Sequence, residues 1–141
     1  MAKLKKITEG MANGCAAIDE NFNALNDELS PSTSATLNVG NGLSIKFTKK
    51  GLGIVQAEFK GELKAVKPGE EMRDNKGTSL PWVWVSQNFC PPETISLAGH
   101  LAGANNSFHI DIEPTGRVVW WGPVLSVSGE TPRGTVLYFA K

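Results

Sequence analysis

Neither sign of charge dominates this chain: 14 lysines and arginines stand against 14 aspartates and glutamates, for a formal net charge of +0. Without a net basic field there is nothing to hold a nucleic-acid backbone, and no nucleic-acid partner is expected. Basic residues cluster only at Lys3, Lys5 and Lys6. No apolar run approaches the ~18 residues of a membrane span, so no membrane insertion is expected. The opening MAKLKKITEG is positively charged but has no apolar core, and is not read as a signal peptide; synthesis and folding in a cytoplasm are expected. Cysteine is scarce, with only Cys15 and Cys90, which make no disulfide framework. Neither a CxxC pair nor a Cys/His cluster points to zinc. The histidines are two, His100 and His109. Neither a metal nor a cofactor is expected, and internal repeats and low-complexity tracts are lacking.

What is present suits one domain, or one domain with an appendage: 141 residues, 40% of them hydrophobic. Met11, Cys15, Ile18, Phe22, Leu25 and Leu29 follow a 4-3-4-3-4 spacing, a heptad seam on a helix. Asn13 can cap its start, and Ser30 and Pro31 stop it, because proline has no N–H to continue the ladder. A helix over 13–29 is roughly 25 Å long and marginal alone. Asp27 and Glu28 lie at its C-terminal end, where the macrodipole disfavours negative charge. The seam must therefore be buried, either on the protein's own sheet or on copies of itself.

Residues 30–42, SPSTSATLNVGNG, read as a polar link. Beyond it the pattern is that of strands. Leu43, Ile45 and Phe47 alternate with Ser44, Lys46 and Thr48, and a turn over 49–53 leads into a returning strand through Val55, Ala57 and Phe59, closed by Gly61. Residues 64–79 read as a long charged loop. WVWV at 82–85, Ile95 to Leu101, Phe108 to Ile112, Arg117 to Trp121 and Thr135 to Phe139 read as further strands. About eight short strands with turn signals every ~8–12 residues predict a sandwich or barrel.

Within HIDIEPTGRVVWWGP, 109–123, the two-residue period puts His109 and Asp111 on one face and Phe108, Ile110 and Ile112 on the other. The apolar face is the core, so the polar pair is displayed. Such a pair is either a surface contact without a task or part of a site. Trp120 and Trp121 are adjacent, so a regular strand sends one inward and one outward. An outward indole beside hydrogen-bonding groups suits the apolar face of a sugar, the groups taking its hydroxyls. Trp82 and Trp84 share a face of their own strand, where core packing accounts for at least one. Arg133, between Pro132 and Gly134, would supply a planar fork of donors for hydroxyl or phosphate oxygens. A histidine and an aspartate also suggest a base and its orienter. No activated-nucleophile motif accompanies them, however, and among Glu93, Asp111, Glu113 and Glu130 no carboxylate pair of the kind a glycosidase needs stands out. A metal site would need a third ligand, for which His100 is the only other histidine.

NFCPPETISLAGHLAG, SFHIDI, WWGP and TPRGT resemble the C-terminal head domain of the receptor-binding proteins of lactococcal siphophages, adhesins of the tail baseplate. KKITEGMANGCAAIDENFNALNDEL resembles their helical shoulder. The matches cover most of the chain and are densest from Asn88 to Thr135; 43–63 matches only in pattern. The resemblance implies a mainly β, homotrimeric protein: residues 1–29 a helical shoulder attached to another baseplate protein, 30–42 a link where relatives have a neck, and 43–141 a β-barrel or sandwich head that binds saccharide. The heads then sit directly on the helical bundle, in a neckless adhesin or a shortened chain. Met11, Cys15, Ile18, Phe22, Leu25 and Leu29 become the trimer core. The resemblance implies ligand-binding roles for His109, Asp111, Arg133 and one of Trp120 or Trp121, with Trp121 favoured.

The leading expectation is a non-enzymatic virion adhesin that takes host cell-wall polysaccharide, with glycerol or sugar-phosphate units, by avidity. The alternatives are a tail-tip depolymerase and a purely structural baseplate subunit without a ligand.

Overall fold

The computed structural model describes residues 3–8, 10–29, 33–73, 85–103, 105–127 and 129–141. One helix precedes an all-β region. Helix α1 spans Gly14–Leu29, opening with a bond from the Ala17 N–H to the Asn13 carbonyl, 3.0 Å. Its seam is not laid on a sheet. Met11, Cys15, Ile18, Phe22, Leu25 and Leu29 are all exposed, Phe22 at 68%. The segment before the helix runs back along it instead: the Lys5 N–H donates to Asn21 Oδ1 (2.7 Å) and Asn21 Nδ2 donates to the Lys5 carbonyl (2.9 Å), while Lys5 pairs with Glu20. Ile7 comes to rest beside Ile18, Phe22 and Leu25 and leaves an open apolar cleft between them. The helix meets the head at its C-terminal end, where Gly51 lies so close to the backbone of Glu28 and Leu29 that no Cβ fits.

Eight strands follow among the described residues: β1 Thr33–Gly40, β2 Leu43–Lys49, β3 Ile54–Gly61, β4 Ile95–Ala102, β5 Ser107–Ile112, β6 Val118–Trp120, β7 Thr131–Arg133 and β8 Thr135–Phe139. They form two antiparallel sheets, ordered β1-β2-β3-β8 and β6-β5-β4-β7. Their inner faces meet through Phe47, Val55 and Phe59 on one side and Leu97, Phe108, Ile110 and Trp120 on the other. Phe59 meets Phe108 edge-on at 5.1 Å, and Phe108 stacks on Trp120 at 4.8 Å. Each such side chain stabilises the fold by about 1.5–3 kcal/mol through burial.

The polar stretch expected to be a link is mostly strand. In β1, Ala35, Leu37 and Val39 pack inward, and Thr36 and Asn38 pair across to Lys46 and Ser44 on the outer face. Asn41 and Gly42 close the β1–β2 hairpin with φ of 51° and 78°. Two positive φ values are what a type I′ turn demands, and Asn-Gly supplies them. The β region therefore begins at residue 33, not 43.

The expected charged loop is likewise partly packed. Leu63, Val66 and Met72 are buried, and bridges join Leu63 to Glu130, Val66 to Leu125 and Glu71 to Val119. Residues 63–72 thus run as a strap beside β6. The remainder of that loop, together with Trp82 and Trp84, lies outside the described residues.

One corner joins the two sheets. β7 and β8 are a single extended run broken at Gly134, whose φ is 142°. β8 pairs with β3, Glu58 opposite Thr135, and β7 pairs with β4, His100 opposite Arg133. The chain crosses from one sheet to the other here, with the Phe59 N–H donating to the Gly134 carbonyl at 3.0 Å. Gly99 faces the crossing; a Cβ there would come within 2.6 Å of the Phe108 ring and 2.8 Å of the Arg133 carbonyl.

Candidate functional site

The outer face of the second sheet collects the polar residues of β4, β5 and β7. On β5, Phe108, Ile110 and Ile112 are buried, His109 is exposed and Asp111 is half-buried. β4 alternates in the same phase, with Leu97 and Leu101 inward and Ser96, Ala98 and His100 outward. The register places Ser96 opposite Asp111, Ala98 opposite His109 and His100 opposite Ser107. The Ser96 hydroxyl donates to Asp111 Oδ1 at 2.5 Å. Asp111 is therefore held by a serine and not by His109, so no base-and-orienter pair forms. The His109 ring makes no hydrogen bond among the described residues and is free to meet a ligand.

The tryptophans divide as strand parity requires. Trp120 lies opposite Ile110, is 0% exposed and donates from its indole to the Pro123 carbonyl at 3.1 Å. Trp120 is a core residue, which corrects its place among the ligand-binding residues. Trp121 is 45% exposed, and its N–H donates to the His109 carbonyl at 2.9 Å, so it stands beside His109 on the outer face. The edge of its ring lies against the strap, where a Cβ on Gly69 would lie 3.5 Å from Trp121 Cη2. An exposed indole, an imidazole without a hydrogen bond among the described residues and a serine-held carboxylate thus share one surface.

Arg133 shares this face but not this cluster. It lies opposite His100, one strand beyond β4 and two residues along from the His109 row. Strand spacing and rise put its Cα about 12 Å from that of His109. Its guanidinium has no hydrogen bond or ion pair among the described residues. A ligand touching both ends must be larger than a single glycerol, or the long arginine side chain must fold back over His100.

The carboxylates nearby are engaged in bracing the sheet. Arg117 bonds Glu113 at 2.8 Å and Glu71 at 3.3 Å, and the Glu71 bond is the first cause of a raised Arg117 pKa. Among the described residues Glu71 Oε1 is buried without a hydrogen-bond partner. Among the described residues no group of three metal-ligating side chains converges, and no helix is long and apolar enough to cross a membrane.

Sequence reasoning overlooked Ser96 as a neighbour of the site and weighed His100 only as a third metal ligand. The signal was the alternation in ISLAGHLA, which puts both on the polar side of β4.

Residues 33–141 match the family described as the lactophage receptor-binding protein C-terminal head domain. A receptor binding protein of Lactococcus phage SK1 is 36% identical over 111 residues, which cover 79% of this chain and 39% of that protein. The chain thus spans well under half the length of this curated relative. The crystal structure of the receptor binding protein (gp15) of Listeria phage PSA superposes with a TM-score of 0.57 at 17% identity, over 97% of this chain and 82% of that one, a likeness of fold. Through residues 33–141, and with the two-sheet architecture that they build, this chain belongs to the family of lactophage receptor-binding protein head domains.

Proposed function

We propose that this head recognises saccharide of the host cell wall, of the glycerol or sugar-phosphate type, by non-catalytic binding. The observation that carries the reading is Trp121 beside His109 on the exposed face of the second sheet, with Asp111 held by Ser96 in the next row. The indole takes the apolar face of the sugar. His109 and Asp111 take its hydroxyls, and Arg133 reaches the ligand from the β7 side. Membership of a receptor-binding family supports a host-surface target, which makes this a virion component at the tail tip.

The chain works as a homotrimer in this reading. The α1 seam, Met11 to Leu29, is unburied in one protomer, and three copies would enclose it as a bundle that also docks on a baseplate protein. Residues 1–29 are then the shoulder and 33–141 the head. Multivalency supplies the strength: each pocket binds weakly, and several engage one polymer-coated cell.

The test is a calorimetric titration of the purified protein with glycerol phosphate and with host cell-wall saccharide. Saturable binding that is lost in His109→Ala and Arg133→Ala, both still folded, is expected. Binding retained in both variants would refute the assignment. Shortened polymer fragments after incubation would refute the non-catalytic reading.

A further inference from the structure

We propose that a second, anion-binding subsite lies on the β3 side of Arg133, and that it takes a phosphodiester of the same polymer whose neutral units meet Trp121 and His109. The proposal rests on the saccharide reading for the identity of the polymer, but not for the site itself.

The geometry begins with one register. β3 pairs Glu58 with Thr135, and the ladder resumes beyond the strand with Leu63 opposite Glu130. Both pairs obey the same offset, so Lys60 stands opposite Arg133. The next strand over, β4, puts His100 opposite Arg133, and β5 puts Ser107 opposite His100. Lys60, Arg133, His100 and Ser107 therefore form one row across four strands. All four side chains are exposed.

Two cations directly opposed across a strand pair destabilise a sheet unless something lies between them. A cleft of about 400 Å³ does lie there, lined by Lys60, Arg133, Glu58, Thr131, Thr135 and Gly134 among others. Lys60 Nζ reaches Glu58 at 3.0 Å, which answers one positive charge. Lys46 faces that same Glu58 from β2. Among the described residues the Arg133 guanidinium has no hydrogen bond or ion pair. Glu62, the next carboxylate along, is not part of the cleft wall. Positive charge is thus in local excess on a chain whose net charge is +0. The hydroxyls of Thr131 and Thr135 add neutral donors. A forked guanidinium, an ammonium and two hydroxyls around one cleft suit a phosphate. They suit a neutral sugar less well, since no aromatic side chain other than Phe59, whose ring is buried, borders it.

The test compares glycerol with glycerophosphoglycerol, a diester, by calorimetry at low salt, with inorganic phosphate followed through backbone amide shifts. The diester is expected to bind about fivefold tighter than glycerol, with the advantage fading as salt screens it. Lys60→Gln should abolish that preference and Lys60→Arg restore it. Glu58→Gln, which frees Lys60, should increase it. Phosphate should shift amides around 59–61 and 131–135. An equal affinity for glycerol and diester, or a preference that survives Lys60→Gln, would overturn the subsite. Phosphate shifts at these amides without any binding of neutral saccharide would support the subsite while removing the saccharide reading.

Discussion

Replacing the two adjacent tryptophans one at a time separates the core from the site. Trp120 is fully buried, stacked on Phe108 at 4.8 Å, and bonded to the Pro123 carbonyl. Truncation to alanine removes a large buried ring and leaves a cavity, at a cost of about 3–5 kcal/mol. The orphaned carbonyl adds on the order of 1 kcal/mol. Against a total stability on the order of 5–15 kcal/mol, this brings the fold near its limit. Trp121 is 45% exposed. Its remaining contact, roughly 100 Å² at about 25 cal/mol per Å², bounds its loss at ~2.5 kcal/mol, and a compact denatured chain lowers that further. Urea unfolding at one fixed protomer concentration reads the difference. With a slope of about 2 kcal/mol per M, Trp120→Ala should move the midpoint down by about 2–3 M and Trp121→Ala by less than about 1 M. Calorimetric titration on the same samples should show saccharide binding lost in Trp121→Ala and retained in whatever Trp120→Ala protein stays folded. Equal midpoints for the two variants, or binding lost with Trp120 and kept without Trp121, would refute the assignment of the two faces.

Other perturbations address separate parts of the chain. Phe22→Asp should convert a trimer to monomers by light scattering, since three charges would meet in one layer; a variant of unchanged mass would end the bundle reading. In the same experiment the Cys15 thiol should be protected from a thiol reagent in the wild type and become reactive in Phe22→Asp, while Cys90, fully buried, stays silent in both. Burial pushes the Cys90 thiol up, with Lys141 opposing, and pushes the Tyr138 phenol up, with Cys90 adding to it. Both folded values lie above the unfolded ones, so this stability is fully present below the ordinary thiol range near ~8.5 and is lost as pH rises beyond it. Thermal midpoints should be flat from about pH 7 to 8 and fall from about 9 to 11, and a level profile would contradict the burial of these groups. Gly99→Ala should cost about 1–3 kcal/mol by overpacking against Phe108 and the Arg133 carbonyl; an unchanged midpoint would mean that the corner yields.

Strands with strong apolar alternation were legible from the residues alone. Leu43, Ile45 and Phe47, or Phe108, Ile110 and Ile112, declare one buried face by themselves. β1 did not, because its inward residues Ala35 and Leu37 sit among serines, threonines and asparagines that resemble a link. Its hairpin turn was nonetheless present as Asn41-Gly42, the residue pair suited to two positive φ values. The strap was hidden for a related reason. Leu63, Val66 and Met72 are spaced irregularly among charges, and their burial depends on edge pairing with β6 and with the segment after it, which no local pattern encodes.

The site divides along the same line between local period and distant register. That His109 and Asp111 share a face follows from a period of two. Which tryptophan joins them was also decidable: Arg117 has the parity of Trp121, and a charged residue at that position sends Trp121 outward with it, while Val118 goes inward with Trp120. The neighbours contributed by other strands were not decidable. Ser96 reaches Asp111, and His100 meets Arg133, only because β4 pairs with β5 on one side and with β7 on the other. Lys60 lies 73 positions from Arg133 in the chain, and the proposed row brings it opposite only because the offset of the β3–β8 ladder is kept beyond Gly134 as far as the Leu63–Glu130 bridge. A one-residue slip of that ladder would turn Lys60 into the core and Phe59 out to solvent. The aromatic part of the surface is thus written within a dozen residues, whereas its cationic part exists only through sheet register. Insertions that shift the β3 ladder should consequently abolish the phosphate preference and leave the Trp121 platform standing, whereas substitutions confined to 109–121 should do the reverse.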